Sequence, residues 1–237
     1  MNSVTRAQKE LAAIHLTPEQ KQDLDRWVEV EFVCATLGLE GVVASSEEVA
    51  RVAAESAAGG GIAREDRREI CDTLKSINAV RSLAANHGTA GSLTPSLLIE
   101  LHDGSRPHAP SSTVVSRPSP EPAAATLLLA KLESACHWFA ADSFIELHPA
   151  EQAAIVLMRL IELKPFEEGN KRTALAASSL FTLRSGFPPI IISPSLHAAY
   201  RTALNEGMKM NTKPMVDLVA QALVTTIGEM IERVRSK

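Results

Sequence analysis

Apolar residues recur every three or four positions over most of this chain, which is the spacing of one face of a helix. A clear example is the run Ile70, Leu74, Ile77 and Val80, inside a helix that we predict over residues 64–86. No segment shows the alternation of strands with helices that a parallel sheet requires, and no internal repeat is present. The pattern predicts an all-α protein.

Capping residues set the boundaries of the predicted helices. Thr17, Pro18 and Gln20 supply a capping hydroxyl, a first-turn proline and a glutamine at the third helical position, so a helix begins here and runs to about residue 37. Ser45 with Glu48 repeats this signal for a helix that ends near residue 59. The other predicted helices span residues 94–103, 121–140, 149–163, 170–184, 194–205 and 213–233.

Residues 104–122 differ in composition from the rest of the chain. Five prolines in this segment exclude a helix, and residues 112–116 could form one short extended piece. Such a segment is either a linker or a functional loop that lies over a site. We predict an N-terminal helical region over residues 1–96 and a core over residues 97–237.

The composition argues against several classes of function. The 237 residues carry 24 basic and 28 acidic side chains, a net charge of −4, which argues against a general nucleic-acid-binding protein. The three cysteines are widely spaced and form no CxxC pair, so neither a disulfide framework nor a cysteine zinc site is expected. No apolar stretch reaches the length of about 18–20 residues that a membrane span needs, and the N-terminus lacks a signal-peptide core. We expect a cytoplasmic protein with neither nucleic acid nor membrane as a partner.

The segment 163–173 carries the most information about function. It joins two predicted helices, and Gly169 allows a tight turn directly before the second one begins. The amides of a first helical turn bind anions, and Lys171 and Arg172 add two positive charges there. Glu168 offers a carboxylate to a divalent metal that bridges phosphate oxygens. These residues alone predict a phosphate-binding helix N-terminus beside an acidic metal ligand.

The same segment resembles the signature loop of the Fic/Doc (Fido) family, H-x-F-x-[D/E]-G-N-[G/K]-R. The matching residues are Phe166, Glu168, Gly169, Asn170, Lys171 and Arg172. The run from Asn170 to Leu175 resembles the Doc branch, which has lysine where adenylyl-transferring members have glycine. Weaker matches extend the resemblance over about residues 97–223, and Phe166 would anchor the loop by packing into the core.

This resemblance implies a Fic-type helical bundle with a short flap-like loop and an N-terminal helical extension. It also implies binding of ATP or another nucleotide with Mg²⁺. The expected reaction is transfer of an adenylyl or phosphoryl group to a serine, threonine or tyrosine hydroxyl of a protein target. On this basis Gly169, Asn170, Lys171 and Arg172 would bind the nucleotide phosphates, and Glu168 would bind the metal.

A second match lies far from the loop. Residues 36–41, Thr-Leu-Gly-Leu-Glu-Gly, resemble the family's inhibitory motif, [S/T]-x-x-x-E-[G/N]. In the family this glutamate projects into the nucleotide pocket and blocks productive placement of the γ-phosphate, a role that the resemblance gives to Glu40. The alternative interpretation is a helix C-terminus that carries an exposed glutamate.

Two positions depart from the family pattern. Lys164 replaces the histidine that serves as general base, and a lysine of ordinary pKa, about 10.4, is almost fully protonated at pH 7. We predict that Lys164 is a phosphate ligand, with a loss of rate on the order of 10²–10⁴-fold. Leu175 replaces the second arginine, which pairs with the inhibitory glutamate, so Glu40 needs another cation. Lys171, Arg172 and Lys164 are candidates, and a Glu40–Lys164 pair is our hypothesis.

Three functions stay open at this point. The first is an impaired transferase of AMP or phosphate. The second is a non-catalytic relative that senses nucleotide or binds a protein partner. The third is a toxin-like effector that its own N-terminal helix holds inactive.

Five further residues invite attention without pointing to chemistry. We interpret His102 and His108 as surface histidines beside the proline-rich segment, since two histidines on an irregular segment are a poor metal site. We predict that His148, before a proline, caps a helix, and that Cys136 and Trp138 are core residues.

Overall fold

The computed structural model describes residues 1–57, 67–87, 93–103 and 122–236. Regular structure in these ranges is helical, with no strand, so the all-α prediction is confirmed. In chain order the α-helices are α1 (Asn2–Ala12), α2 (Pro18–Glu40), α3 (Ser46–Ala57), α4 (Arg68–His87), α5 (Pro95–Asp103), α6 (Pro122–Phe139), α7 (Asp142–Ile145), α8 (Pro149–Leu163), α9 (Asn170–Arg184), α10 (His197–Gly207) and α11 (Lys213–Arg235). A 3₁₀ turn, Pro194–Leu196, leads directly into α10.

Most predicted helix boundaries agree with the structure, and the disagreements have local causes. The predicted capping box forms at Thr17, and α2 continues three residues beyond the expected end, to Glu40. Helices α1 and α7 were not predicted: no side chain caps either N-terminus, so neither shows a start signal, and each fully buries only one residue. The predicted extended piece, the flap-like loop and His108 lie outside the described residues.

Helix α9 occupies the centre of the fold. It contacts α8, α4, α2 and α5, and its residues 173–182 are all buried. A helix enclosed on every side must carry small or apolar side chains all round, and this one contains mainly Ala, Ser, Thr and Leu. The buried Ser178 hydroxyl donates to Ala174 O at 2.7 Å, which satisfies it inside the helix. The enclosed position makes the N-terminus of α9 a fixed point on which a site can be built.

Helix α11 packs across the opposite side of this core, against α1, α8 and α10. By length and composition it is the one helix in the described part of the chain that could cross a membrane. A core helix passes the same test, and half of its most apolar window is buried in the fold. Its eight buried residues, from Met215 to Ile231, form an apolar stripe at helical spacing.

Helix α2 connects the N-terminal region to this core, since it contacts α3, α4, α9 and α11. Its C-terminus is closed at Gly41, which has a φ of +86°, and the amides of Gly41 and Val42 donate to Gly38 O and Leu37 O. Helix α2 therefore ends at this point, and its last turn lies close to the start of α9. The division at residue 96 stays a prediction.

Two expectations about packing have different outcomes. Cys136 is buried, as predicted, and burial raises the pKa of its thiol to about 12. The prediction for Trp138 is wrong, because 46% of its surface is exposed. One edge of its ring packs against Phe139 and Phe144, while the helix turns the rest toward solvent.

Candidate functional site

The α8–α9 loop, residues 164–169, is bounded by two residues in the left-handed region. Lys164 ends α8 with a φ of +45°, and Gly169 precedes α9 with a φ of +70°. Glycine adopts this conformation without cost, whereas a lysine is strained there by about 1–2 kcal/mol. The two turns reverse the chain within six residues and aim the loop at the N-terminus of α9.

Asn170 holds the loop in its turn through both atoms of its amide. Its Oδ1 accepts the backbone N–H of Phe166 at 2.9 Å, and its Nδ2 donates to Phe166 O at 2.7 Å. The Phe166 side chain is only 4% exposed, packed into the core below the loop. The loop is therefore held by two kinds of contact: the two hydrogen bonds between Asn170 and the Phe166 backbone, and the buried Phe166 side chain.

His102 contacts the same loop from α5, and its prediction as a surface histidine is wrong. It is 5% exposed, and its ring stacks flat on Phe166, with centroids 3.8 Å apart and an interplanar angle of 7°. Its Nε2 donates to Glu168 O at 3.2 Å. Sequence reasoning missed it because the two partners are 66 residues apart in the chain. The available signal was its place on the predicted helix over residues 94–103, whose apolar face has to be buried.

The C-terminus of α2 meets the two cations at the start of α9. Arg172 Nε donates to Glu40 Oε2 at 3.0 Å, and both side chains are largely buried, 13% and 17% exposed. Lys171 Nζ donates to Leu39 O at 2.9 Å. The hypothesis of a Glu40–Lys164 pair is therefore wrong: Lys164 lies at the other end of the loop and is exposed.

The ionisation of Glu40 follows from these contacts. Burial raises the pKa of its carboxyl, and this effect outweighs the charges of Arg172 and Lys171 and the Arg172 backbone N–H, which lower it. The same carboxylate and, more strongly, burial raise the pKa of the Tyr200 hydroxyl on α10. Glu40 is thus a buried carboxylate at a helix N-terminus, in the position that a bound anion would take.

Two buried polar atoms beside Glu40 have no hydrogen-bond partner among the described residues. They are Arg172 Nη1 and the Tyr200 hydroxyl, and Tyr200 is 2% exposed. A Cβ at Gly169 would lie 3.4 Å from Arg172 Nη2, so the absence of a side chain there keeps the approach to the guanidinium open. Unused donors, a glycine turn and two cations fit a phosphate group well.

Glu168 lies on the exposed side of the loop. No group of three or more His, Cys, Asp or Glu residues in the described ranges could hold a metal by itself. Mg²⁺ is commonly bound through one or two carboxylates together with phosphates and waters, so one carboxylate beside a phosphate site fits this ion. Leu175, one turn further along α9, is 1% exposed and contributes only to the core.

These positions match a known family. The sequence profile of the Fic/DOC family matches residues 92–182, which include α5, α8, the α8–α9 loop and most of α9. Over this segment the chain is similar to the proteins of the Fic/DOC family. The loop geometry, the cations at the start of α9 and the buried His102 all lie inside the matched segment.

Curated proteins that are similar to this chain bear the name protein adenylyltransferase. The fic-1 protein of Caenorhabditis briggsae is 33% identical over 110 residues, 46% of this chain and 22% of that protein. The Fic protein of Culex quinquefasciatus is 20% identical over 227 residues, 92% of this chain and 44% of that protein. The chain therefore matches less than half the length of each of these relatives.

Solved structures share the fold over nearly the whole chain. Residues 134–508 of Fic-1 from C. elegans superpose with a TM-score of 0.77 at 22% identity, covering 98% of this chain and 70% of that one. A Fic-domain signaling protein from Bacteroides thetaiotaomicron gives a TM-score of 0.82 at 19% identity, covering 100% and 98%. The fold match extends beyond the segment of the family profile and includes the helices before residue 92.

Proposed function

We propose that this Fic protein binds ATP with Mg²⁺ at the N-terminus of α9 and transfers AMP to a protein hydroxyl at a strongly reduced rate. The observation that carries the proposal is the cation pair Lys171 and Arg172 at the Gly169 turn, with a carboxylate of the chain held against it. The names of the relatives support adenylyl transfer. The lysine at 171 favours the Doc-type alternative, in which the γ-phosphoryl group moves.

We call Phe166 and residues 168–172 the phosphate cradle, and each of its parts has a distinct role in this proposal. The first-turn amides of α9 and the guanidinium of Arg172 bind phosphate oxygens, and Lys171 neutralises their charge. Glu168 would hold Mg²⁺, which would neutralise charge on the phosphates. Asn170 and Phe166 fix the loop so that these groups are in place before the nucleotide arrives.

The reduced rate follows from Lys164. Lys164 stands where the resemblance places the general-base histidine, and an ammonium group has no lone pair with which to take a proton from the attacking hydroxyl. Without a positioned base we expect the transfer rate to fall by about 10²–10⁴-fold. Binding of the nucleotide does not need that base, so affinity and turnover are separable.

The end of α2 inhibits the site in this proposal. Glu40 and Leu39 O satisfy the two cations that phosphate would use, so a nucleotide must displace both contacts. Removing the Glu40 carboxylate would release Arg172. A polyanion would then bind without breaking a buried ion pair.

Labelled ATP tests the proposal on the purified full chain. Wild type, Glu40→Ala, Lys164→His and the Glu40→Ala, Lys164→His double variant are each incubated with Mg²⁺ and ATP labelled at the α- or γ-phosphate. We expect α-label on protein to be strongest for the double variant. γ-Label on protein would mean that the reaction is phosphorylation and not adenylyl transfer. The absence of both label and nucleotide binding in all four proteins would overturn the proposal.

A non-catalytic nucleotide-binding protein is the second candidate, and the lysine at 164 is the observation that favours it. This second candidate predicts that Glu40→Ala binds MgATP, as measured by calorimetry. It also predicts that no label is transferred to protein, even when Lys164→His is added. Arg172→Ala should weaken that binding by roughly tenfold or more. The control Arg159→Ala, which removes a partly exposed arginine paired with Glu162 on α8, should leave it unchanged.

A further inference from the structure

We infer that His102 is a positioning residue for the phosphate cradle, acting through the backbone of the α8–α9 loop. The inference rests on the proposed function for its effect on nucleotide binding. Its structural part, the hold of His102 on the loop, stands on the contacts alone. The site residues predicted from the sequence do not include His102.

The first step is the direction of the hydrogen bond. A carbonyl oxygen can only accept, so the 3.2 Å contact to Glu168 O requires a proton on His102 Nε2. This proton is present in one neutral tautomer and in the charged ring. The hydrogen bond therefore requires a form of the ring that carries this proton.

The second step is what that bond fixes. Glu168 O and the N–H of Gly169 belong to one planar peptide unit and point in opposite directions, so fixing the oxygen also fixes the N–H. Gly169 has a φ of +70°, and a glycine allows this peptide unit to rotate at little steric cost. The bond from His102 selects one orientation. It thereby sets where the Glu168 side chain leaves the loop and where α9 begins.

The third step is the packing of the His102 ring. It stacks on Phe166 at 3.8 Å, while its Cδ2 and Nε2 atoms lie 3.7 Å from the place where a Gly169 Cβ would be. One ring thus contacts both the apolar anchor and the glycine turn of the same loop. The helix that carries it, α5, also packs on α9, so the hold comes from the rigid core.

Three substitutions separate the two contacts. His102→Gln keeps a donor at nearly the same reach and loses the stack. His102→Phe keeps the stack and loses the donor, and His102→Ala loses both. The matched control is His148→Ala, a partly buried histidine that caps α8 and does not touch the loop.

Hydrogen exchange of residues 163–173 tests the structural part without any ligand. We expect His102→Ala and His102→Phe to speed exchange of this segment at least fivefold, and His102→Gln to stay within about twofold of wild type. His148→Ala should lower the melting temperature without changing exchange in the loop. If His102→Ala lowers the melting temperature but leaves loop exchange at the wild-type rate, His102 is only a core residue and the inference is overturned.

MgATP titration of the same variants in the Glu40→Ala background tests the functional part. We expect the Kd to rise at least tenfold for His102→Ala and His102→Phe and to recover to within threefold of the parent for His102→Gln. If the Glu40→Ala parent binds no nucleotide, the proposed function fails while the exchange result still decides the hold on the loop. If the parent binds and all three variants match it, the positioning role is overturned.

Discussion

The two adjacent helices α8 and α9 begin in opposite ways. At α8, His148 Nδ1 accepts the N–H of Ala150 at 3.1 Å, and Glu151 accepts the N–H of His148 at 3.2 Å, so side chains of the same segment cap the start. At α9, Gly169 offers no side chain, and the carboxylate at the first turn comes from Glu40, 130 residues away in the chain. One helix start is capped by side chains of its own segment, and the other is contacted by a carboxylate from a distant helix.

This difference separates stability from binding. A helix start without a local cap costs about 0.5–2 kcal/mol of stability, and folded proteins keep such ends where a ligand or another element supplies the partner. Cations at a helix N-terminus add an unfavourable interaction with the helix dipole, so Lys171 and Arg172 are misplaced for stability. Their position is explained by an anion, which is Glu40 in this structure.

Arg172→Ala should have the largest effect on the α9 side. The loss of charge-assisted hydrogen bonds to phosphate is expected to raise the Kd for MgATP by roughly tenfold to a hundredfold. Titration calorimetry measures it, with Arg159→Ala as the exposed control that leaves the Kd unchanged. An unaltered affinity for Arg172→Ala would place the phosphates elsewhere.

Glu40→Ala should have the opposite sign. Because it removes the anion that competes with phosphate, it should tighten MgATP binding by about tenfold, within the usual range of coupling between two sites. Glu40→Gln keeps the shape of the side chain. Its affinity for MgATP should lie between those of wild type and Glu40→Ala, since an amide still accepts a hydrogen bond from Arg172. Equal affinities for all three proteins would show that α2 does not compete with nucleotide.

The raised pKa of Glu40 predicts a smaller effect of pH. A carboxyl whose pKa is higher in the folded state binds a proton more tightly there, so its contribution to stability falls as pH rises from the unfolded value through the folded one. Protonation also weakens the Glu40–Arg172 pair. We expect the affinity advantage of Glu40→Gln over wild type to shrink as pH falls from 7.5 toward the carboxyl range, because protonation makes wild type resemble the variant. An advantage that is constant with pH would contradict this, and the variant itself controls for protonation of the nucleotide.

His148→Ala tests the α8 side of the comparison. Loss of the cap should lower the free energy of unfolding by about 1 kcal/mol, measured by denaturant titration, and leave the Kd for MgATP unchanged. Burial, more than the N-terminal charge, lowers the pKa of His148, so its stabilisation is present above the unfolded pKa and is lost as pH falls through the ordinary histidine range. A shift in the Kd would mean that the two helix starts are not independent.

The sequence predicted the local parts of this arrangement and missed those that depend on tertiary contacts. Pro149 and Gly169 are local signals, and α8 and α9 begin and end at the residues expected from them. The partner of Glu40 depends on how α2 crosses α9, which no spacing along the chain encodes, so the choice of Lys164 over Arg172 was wrong. His102 failed for a similar reason: it lies at the end of a predicted helix, beside the proline-rich segment, whereas its neighbours in space, Phe166 and the Glu168 backbone, are more than 60 residues away in the chain.

The smallest expected effect concerns Lys164, which ends α8 and begins the loop that leads to α9. Its φ of +45° suits glycine, so Lys164→Gly should relieve about 1 kcal/mol of strain, partly offset by the greater freedom of glycine in the unfolded chain. Lys164→Ala keeps the strain and removes the same side chain, which makes it the matched control. Thermal unfolding should therefore place the glycine variant about 1–3 °C above the alanine variant. If the alanine variant is as stable as the glycine variant, the left-handed conformation of residue 164 is not strained. The start of the loop would then be held as firmly as its end at Gly169.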